Sequence, residues 1–274
     1  MLPIILVAPH ASSVIPEPLR GRYALDDKEI WQCSDRFTDE LNEFTCLYAK
    51  HAAEVNRLVC DMNRAPNAQD AFREFDFYGK RVFNDGKEFT LNEKENLLMQ
   101  YWYPFHQEIV HSIQGLDEEG AEVILLVDYH NTAGDHALNI NNDYMASMIL
   151  SNLGSEDAYE NQEGVSIPYN YLFELQDFIG EALGISAEIN RIYHGGYNLY
   201  WYTHLKNILN LKAKIYAIQI EYNLDYVFNP ISKIFDRKAL EIMQKTLNEG
   251  LASMYENILV QEGTSHNKEA RISY

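Results

Sequence analysis

The chain has 274 residues, 46% of them hydrophobic and 23% charged, with a formal net charge of −19. This composition excludes a disordered or fibrous chain, and a field of that sign disfavours nucleic acid and anionic membrane as partners. It repels an acidic substrate as well, so a pocket for one needs its own arginines or a metal ion.

In chain order, Met1–Ala8 is apolar but too short, and too poor in basic residues, for a signal peptide. Its Ile4–Ala8 run predicts a buried strand, followed by a loop to Pro18. Ser34 reads as an N-cap, and Phe37, Leu41, Phe44, Leu47 and Tyr48 recur at helical spacing, predicting a helix. Glu54–Cys60 reads as a strand and Asp61–Phe89 as a long polar and aromatic loop of the kind that carries function. Thr90 and Glu93 form a capping box for a helix over Leu91–Ile113, kinked at Pro104.

Glu122–Asp128 (EVILLVD) is the clearest buried strand. Asn131–Pro168 reads as irregular apart from a strand at Met145–Leu150. A helix over Asn170–Leu183, strands at Ala187–Ile192 and Lys214–Glu221, and a helix from Asp236 to about Val260 complete the series. After about residue 261 a loose tail is expected. The alternation predicts one domain over residues 1–274, a three-layer α/β sandwich with a mixed, largely parallel central sheet. Cys33, Cys46 and Cys60 are odd in number and contain no CxxC pair, which predicts reduced thiols and a cytoplasmic protein. No apolar run approaches the ~18 residues of a membrane span. Oligomeric state is not legible.

Ligand sites on such sheets lie beyond the carboxyl ends of the strands. There the sequence places His10, then Asp61-Met62-Asn63-Arg64, then Asp128 and His130, then Arg191 with Tyr193-His194-Gly195-Gly196-Tyr197, and Glu221. Two imidazoles at the ends of buried strands suit one divalent ion. Zinc needs a third ligand, for which Asp35 and Asp39 are the candidates. Asp128 lies two residues from His130, on the same strand face, and either orients a metal-contacting group or caps the following loop. Glu221 ends an apolar strand, where a carboxylate is costly to bury unless paired or used. Beside a metal-bound water it is the candidate general base, with Asp128 next in line. Arg64 and Arg191 are candidate carboxylate clamps or surface ion-pair partners, and Arg64 is expected to carry a guanidinium without a tight internal partner. Gly195-Gly196 permits close backbone approach or a sharp turn. No GxGxxG, GxxxxGK[ST], HExxH or GxSxG occurs. His51, His106, His111, His136, His204 and His266 show no ligand spacing.

Seven short motifs in order resemble those of the N-formylglutamate amidohydrolases. They are Pro9-His10-Ala11-Ser12 with Ile15-Pro16; Asp35, Asp39 and Leu41; Asp61-Met62-Asn63-Arg64; Tyr101-Trp102-Tyr103-Pro104-Phe105-His106; Asp128-Tyr129-His130-Asn131; Gly195-Gly196-Tyr197; and Gln219-Ile220-Glu221. The chain departs from the family pattern at Ala11, where Gly is usual, at Asn131, where Ser is usual, and over residues 159–186.

The resemblance implies a zinc-carboxypeptidase-like fold and zinc or another divalent ion on His10, Asp35 and His130. It implies Asn63 and Arg64 on a substrate carboxylate, with Arg191, Gly195, Gly196 and Tyr197 nearby, and Glu221 activating water. The implied reaction is hydrolysis of a small acidic N-acyl amino acid, N-formyl-L-glutamate first. A zinc carboxypeptidase, another N-acyl amino-acid deacylase and a non-catalytic ligand-binding descendant are the alternatives.

Overall fold

The computed structural model describes residues 1–132, 146–156, 164–229, 232 and 234–263. The first strand is β1 (Leu2–Ala8), followed by two short helices, α1 (Glu17–Arg20) and α2 (Asp27–Gln32), then β2 (Leu47–Ala52). Helix α3 (Leu91–Leu97) runs through a π-helical turn at Leu98–Trp102 into α4 (Tyr103–Glu118). Strand β3 (Val123–Thr132), β4 (Met148–Ser151), α5 (Tyr169–Leu183), β5 (Ala187–Ile189), α6 (Tyr197–Leu209) and β6 (Lys214–Asn223) follow. A small ribbon, β7 (Phe228–Asn229) with β8 (Ile234–Phe235), precedes the last helix, α7 (Arg237–Gln261).

Six strands form one sheet in the order β2-β1-β3-β6-β4-β5, and every neighbouring pair is parallel except β4 with β6. All ten residues of β3 are buried, because helices cover both faces. Ile124 and Leu126, with Ile5, Val7, Ile215 and Ala217, pack against Ile109 and Ile113 of α4 and Leu199 and Tyr202 of α6. Val123, Leu125 and Val127, with Ile4, Leu6 and Ile218, pack against α5 and α7 through Leu172, Leu175, Met243 and Leu247. This is the expected three-layer sandwich with a mixed, mostly parallel sheet. Among the described residues no helix is long and apolar enough to cross a membrane.

The helix expected after Ser34 is absent. Ser34 Oγ instead donates to the Trp31 carbonyl at the end of α2 (2.7 Å), Phe37 takes a left-handed φ of 67°, and the chain turns its way to β2. The helix-like spacing arose because Leu41, Phe44 and Leu47 all reach the same core from consecutive turns and a strand start. Glu54–Cys60 is not a strand either. Its apolar residues are buried, but Asn56 folds the segment by donating to Ile30 O and accepting from Leu58 N.

The Thr90 capping box forms, with Thr90 N donating to Glu93 Oε2 at 2.8 Å. Pro104 meets its expected irregularity one turn earlier: Tyr103 N donates to Leu98 O, five residues back. The helical run extends to Glu118. Strand β3 outlasts its predicted end by four residues, so Asp128 and His130 are inside a paired strand. Helix α6 was not anticipated. The expected start of β4 at Met145, along with His136, His266 and the tail from 264, lies outside the described residues.

Candidate functional site

Strands β1, β3 and β6 are adjacent and parallel, so their carboxyl ends open on one edge of the sheet. Alternation then sets which side chains share a face. Asp128 and His130 continue the row of Ile124 and Leu126; Gln219 and Glu221 continue that of Ile215 and Ala217. His130 and Glu221 are direct partners in the ladder. His10 follows β1 by two residues. Asp35 is tied to it through the backbone, Asp35 N donating to His10 O at 2.9 Å.

The three expected ligands meet. Asp35 Oδ2 lies 2.7 Å from His130 Nδ1 and 3.4 Å from His10 Nδ1, and the two rings are 4.9 Å apart at their centroids. One donor atom from each of the three residues falls within 4.8 Å of the others, and all three residues are buried. Asp39 is exposed and takes no part, so Asp35 is the carboxylate that faces the two histidines.

Each imidazole is held from behind. His10 Nε2 lies 2.8 Å from Asp61 Oδ1, and His130 Nε2 lies 3.0 Å from Asp128 Oδ2. A carboxylate accepts only, so His10 Nε2 carries a proton toward Asp61 and its Nδ1 presents a lone pair, while His130 carries a proton on Nε2 toward Asp128 and, unless a metal ion takes its place, another on Nδ1 toward Asp35. His10 Nδ1 is buried and makes no hydrogen bond. With the His130 Nδ1 proton gone, two lone pairs and a carboxylate oxygen would face each other and repel unless a cation lay among them. Carboxylate-backed imidazoles converging with one Asp form a donor set that suits a divalent ion. Without one, a proton does the same work. Burial opposes charge on His130, but Asp128 and Asp35 outweigh it and push its pKa well above the usual range. Burial likewise opposes the Asp35 charge, and His10 and His130 outweigh it downward. Proton and metal thus compete for one place.

Glu221 lies against the same cleft, about 260 Å³ in volume, along with His10, Asp35, Asn63 and His130. Burial raises its pKa to about 8, against the pull of His130 and with the push of Asp35. Its one hydrogen bond among the described residues is a long one from Gln219 Nε2, 3.4 Å.

The other expected residues take several places around this cleft. Asp128 is behind His130 rather than on the cleft. Its oxygens accept from His130, from Asn63 Nδ2 (3.3 Å) and from Asn198 Nδ2 (3.1 Å), the setting of an orienting group. Arg64 lines the cleft but is not free of partners: its Nε donates to Asp70 Oδ2 at 2.5 Å and its Nη1 to Asn63 O at 2.7 Å. Arg191 pairs with Glu188 at 3.0 Å and is outside the cleft lining. Asn63 lines the cleft, yet its side chain is committed to Asp128 and to Asn198 N. Gly195, at φ 109°, and Gly196 line the cleft. Tyr197 begins α6 and stacks on Trp201 away from it.

Sequence reasoning missed Arg57, Arg73 and Asn198, and gave Asp61 no role. Arg57 Nη2 donates to Asp61 Oδ2 at 2.9 Å, and Arg57 and Arg73 both line the cleft. The signal for Arg57 was a charge inside the apolar run Val55–Cys60, costly unless paired. Arg73 had none, lying in a loop without periodicity.

Residues 2–227 match the family model described as N-formylglutamate amidohydrolase. The fold is similar to the crystal structure of N-formylglutamate amidohydrolase from Ralstonia eutropha, at 15% identity and TM-score 0.68, covering 96% of this chain and 95% of that one. It is also similar to a gene product of Agrobacterium tumefaciens, at 16% identity and TM-score 0.61, covering 92% and 91%. No curated protein matches the sequence.

Proposed function

The chain belongs to the N-formylglutamate amidohydrolase family, and from that premise we propose that it is a metal-dependent amidohydrolase of small acidic N-acyl amino acids. N-formyl-L-glutamate, giving formate and L-glutamate, is the first substrate to test. The observation that carries the metal is the meeting of His10, Asp35 and His130, with both imidazoles backed by buried carboxylates and Glu221 beside them. Zinc is the ion that this donor set suits best.

A divalent ion held by these three residues supplies Lewis acidity to an acyl carbonyl and to water in the cleft. The remaining chemistry belongs to the protein. Glu221 takes a proton from the attacking water as the new C–O bond forms. It returns that proton to the nitrogen as the C–N bond breaks, so the amine leaves neutral. A carboxyl whose pKa is drawn up to about 8 by burial is suited to both halves of that exchange near neutral pH. Asp61 and Asp128 keep the histidine lone pairs aimed inward. Arg57 lines the cleft with its Nη1 3.9 Å from Asp35 Oδ1, and is placed to meet negative charge developing on the former carbonyl oxygen.

The test is metal analysis of purified protein, followed by turnover of N-formyl and N-acetyl amino acids with acidic and neutral side chains. Hydrolysis that favours N-formylglutamate and ceases on chelation supports the reading. Metal-loaded protein that hydrolyses none of them sinks it, and a preference for peptides with free C-termini would make it a carboxypeptidase.

A further inference from the structure

Four arginines, Arg36, Arg57, Arg64 and Arg73, line the cleft of a protein whose net charge is −19. They differ in what they have left to offer. Arg64 spends its Nε on Asp70 and its Nη1 on the chain. Arg57 spends its Nε and Nη2 on Asp61 Oδ2, at 3.2 and 2.9 Å.

Among the described residues the one carboxylate oxygen near Arg73 is the same Asp61 oxygen, at 3.6 Å, beyond hydrogen-bonding range. Asp61 has nothing further to give. Its Oδ1 already accepts from His10 Nε2 and Asn63 N, and its Oδ2 from Arg57 twice, which fills the roughly four acceptor sites of a carboxylate. Among the described residues Arg73 makes no hydrogen bond, and its Nε is buried without one. Its side chain is only 16% exposed, so bulk water has little access to it and none to the Nε.

The guanidinium is nevertheless held firmly in place. Its Cζ lies 4.6 Å from the centre of the Phe77 ring, and that of Arg57 lies 4.8 Å from the same ring. Phe77 is presented by a tight turn in which Asp76 Oδ1 accepts from Tyr78 N and Lys80 N, closed by Gly79 at φ 80°. The result is a planar, partly desolvated fork of N–H donors without a hydrogen-bond partner among the described residues, beside a second cation and lining the same cleft as the histidine pair. Burial and the repulsion of Arg57 both work against its charge. An anion in the cleft relieves both.

Resting on the amidohydrolase reading, we propose that Arg73, backed by Phe77, is the residue that binds and selects a carboxylate of the substrate, in place of Arg64 or Arg191. The ligand class is a short dicarboxylate, one end at the histidine pair and the other on the Arg73 fork.

Direct binding tests this without turnover. Metal-loaded wild-type protein, R73Q, R73K and R64Q are titrated calorimetrically with glutarate and, as the one-carboxylate control, butyrate. Wild type is expected to prefer glutarate. R73Q should bind glutarate about 10- to 100-fold more weakly, the worth of hydrogen bonds to a charged group, with butyrate unchanged. R73K, a point charge without the fork, should fall between, and R64Q should match wild type within about threefold.

Glutarate binding that survives R73Q, or that is lost in R64Q instead, overturns the proposal, as does a wild type with no preference for glutarate. Metal content and the unfolding midpoint show whether R73Q is folded; if it is not, R73K carries the comparison, and R73K equal to wild type is again an overturning result. The two readings separate cleanly. Glutarate held by Arg73 in a protein that hydrolyses no N-acyl amino acid sinks the amidohydrolase and leaves the subsite. N-formylglutamate turnover that R73Q leaves unchanged sinks the subsite alone.

Discussion

Glu221 and His106 are both buried ionisable side chains, and the two should be separable by experiment. Glu221→Gln keeps the shape and removes the basicity. Metal content should persist while kcat falls by ~10²–10⁴-fold, the usual contribution of a positioned acid–base group. Loss of the metal instead would make Glu221 a ligand. His106 is packed under Trp102, its Nε2 3.0 Å from Met62 O, and burial pulls its pKa from 6.5 down to about 3. The folded protein therefore binds fewer protons there than the unfolded chain between pH 3 and 6.5. Stability contributed by neutral His106 is fully present above 6.5 and is lost as pH falls toward 3. His106→Gln keeps a donor to Met62 O and cannot titrate. Denaturant unfolding between those pH values should lose up to ~1.4 kcal/mol per pH unit of slope in the variant, and an unchanged slope would mean that His106 is not the group responsible. The residues with distinctive chemistry at or just past strand ends, His10, His130 and Glu221, were legible as cleft residues because so few residue types can do such work. The arginines were not, because an arginine's partner decides its role and the sequence does not state the partner. Arg64 stands in a recognisable motif and is occupied. Arg73 stands in none and is not.

At the scale of elements, helix α6 is positioned by a residue from outside it. Asn63 Oδ1 accepts from Asn198 N in the first turn at 3.0 Å, while Asn63 Nδ2 reaches Asp128, so one side chain joins the helix to the carboxylate behind His130. Gly196 leaves the room for it: a Cβ there would stand 2.6 Å from Asn63 Nδ2. Gly196→Ala should cost ~1–3 kcal/mol of stability through overpacking and weaken metal binding ~10–100-fold by disturbing the support of His130. Gly21→Ala, where nothing lies within 4 Å, is the control and should do neither. Equal behaviour of the two variants would remove Asn63 from the site's support. Strands were easier to read than their surroundings. β3 and β6 are near-continuous apolar runs because both faces are covered, and that pattern has few other causes. The segment 34–60 misled because apolar spacing records burial, not backbone. Phe37 at positive φ and the Asn56 turn bury the same residues that a helix and a strand would have buried.

For the whole molecule, the meeting of His10, Asp35 and His130 means that a divalent cation bound among them would stabilise the fold. A divalent ion at about 100 times its dissociation constant adds ~2.7 kcal/mol, or roughly 5–10 °C in the unfolding midpoint for a chain of this size. Chelated wild-type protein should gain that shift with zinc and His10→Ala should not; the same shift in both would place the ion elsewhere. The sheet order has a consequence of another kind. Strand β3 is covered by β1 on one edge and by β6 on the other, but β6 begins at Lys214, about 80 residues after β3 ends at Thr132. Strand β4, made in between, pairs with β6 and β5 and cannot shield β3. At ~5–20 residues per second, a nascent chain therefore carries the naked edge of VILLV for roughly 4–16 s before its partner is made. During that interval the protein is at its most exposed to strand-by-strand association with its own copies, and its cleft has no Glu221. Slowing translation between Thr132 and Lys214 should lower soluble yield, while slowing it after Asn223 should not.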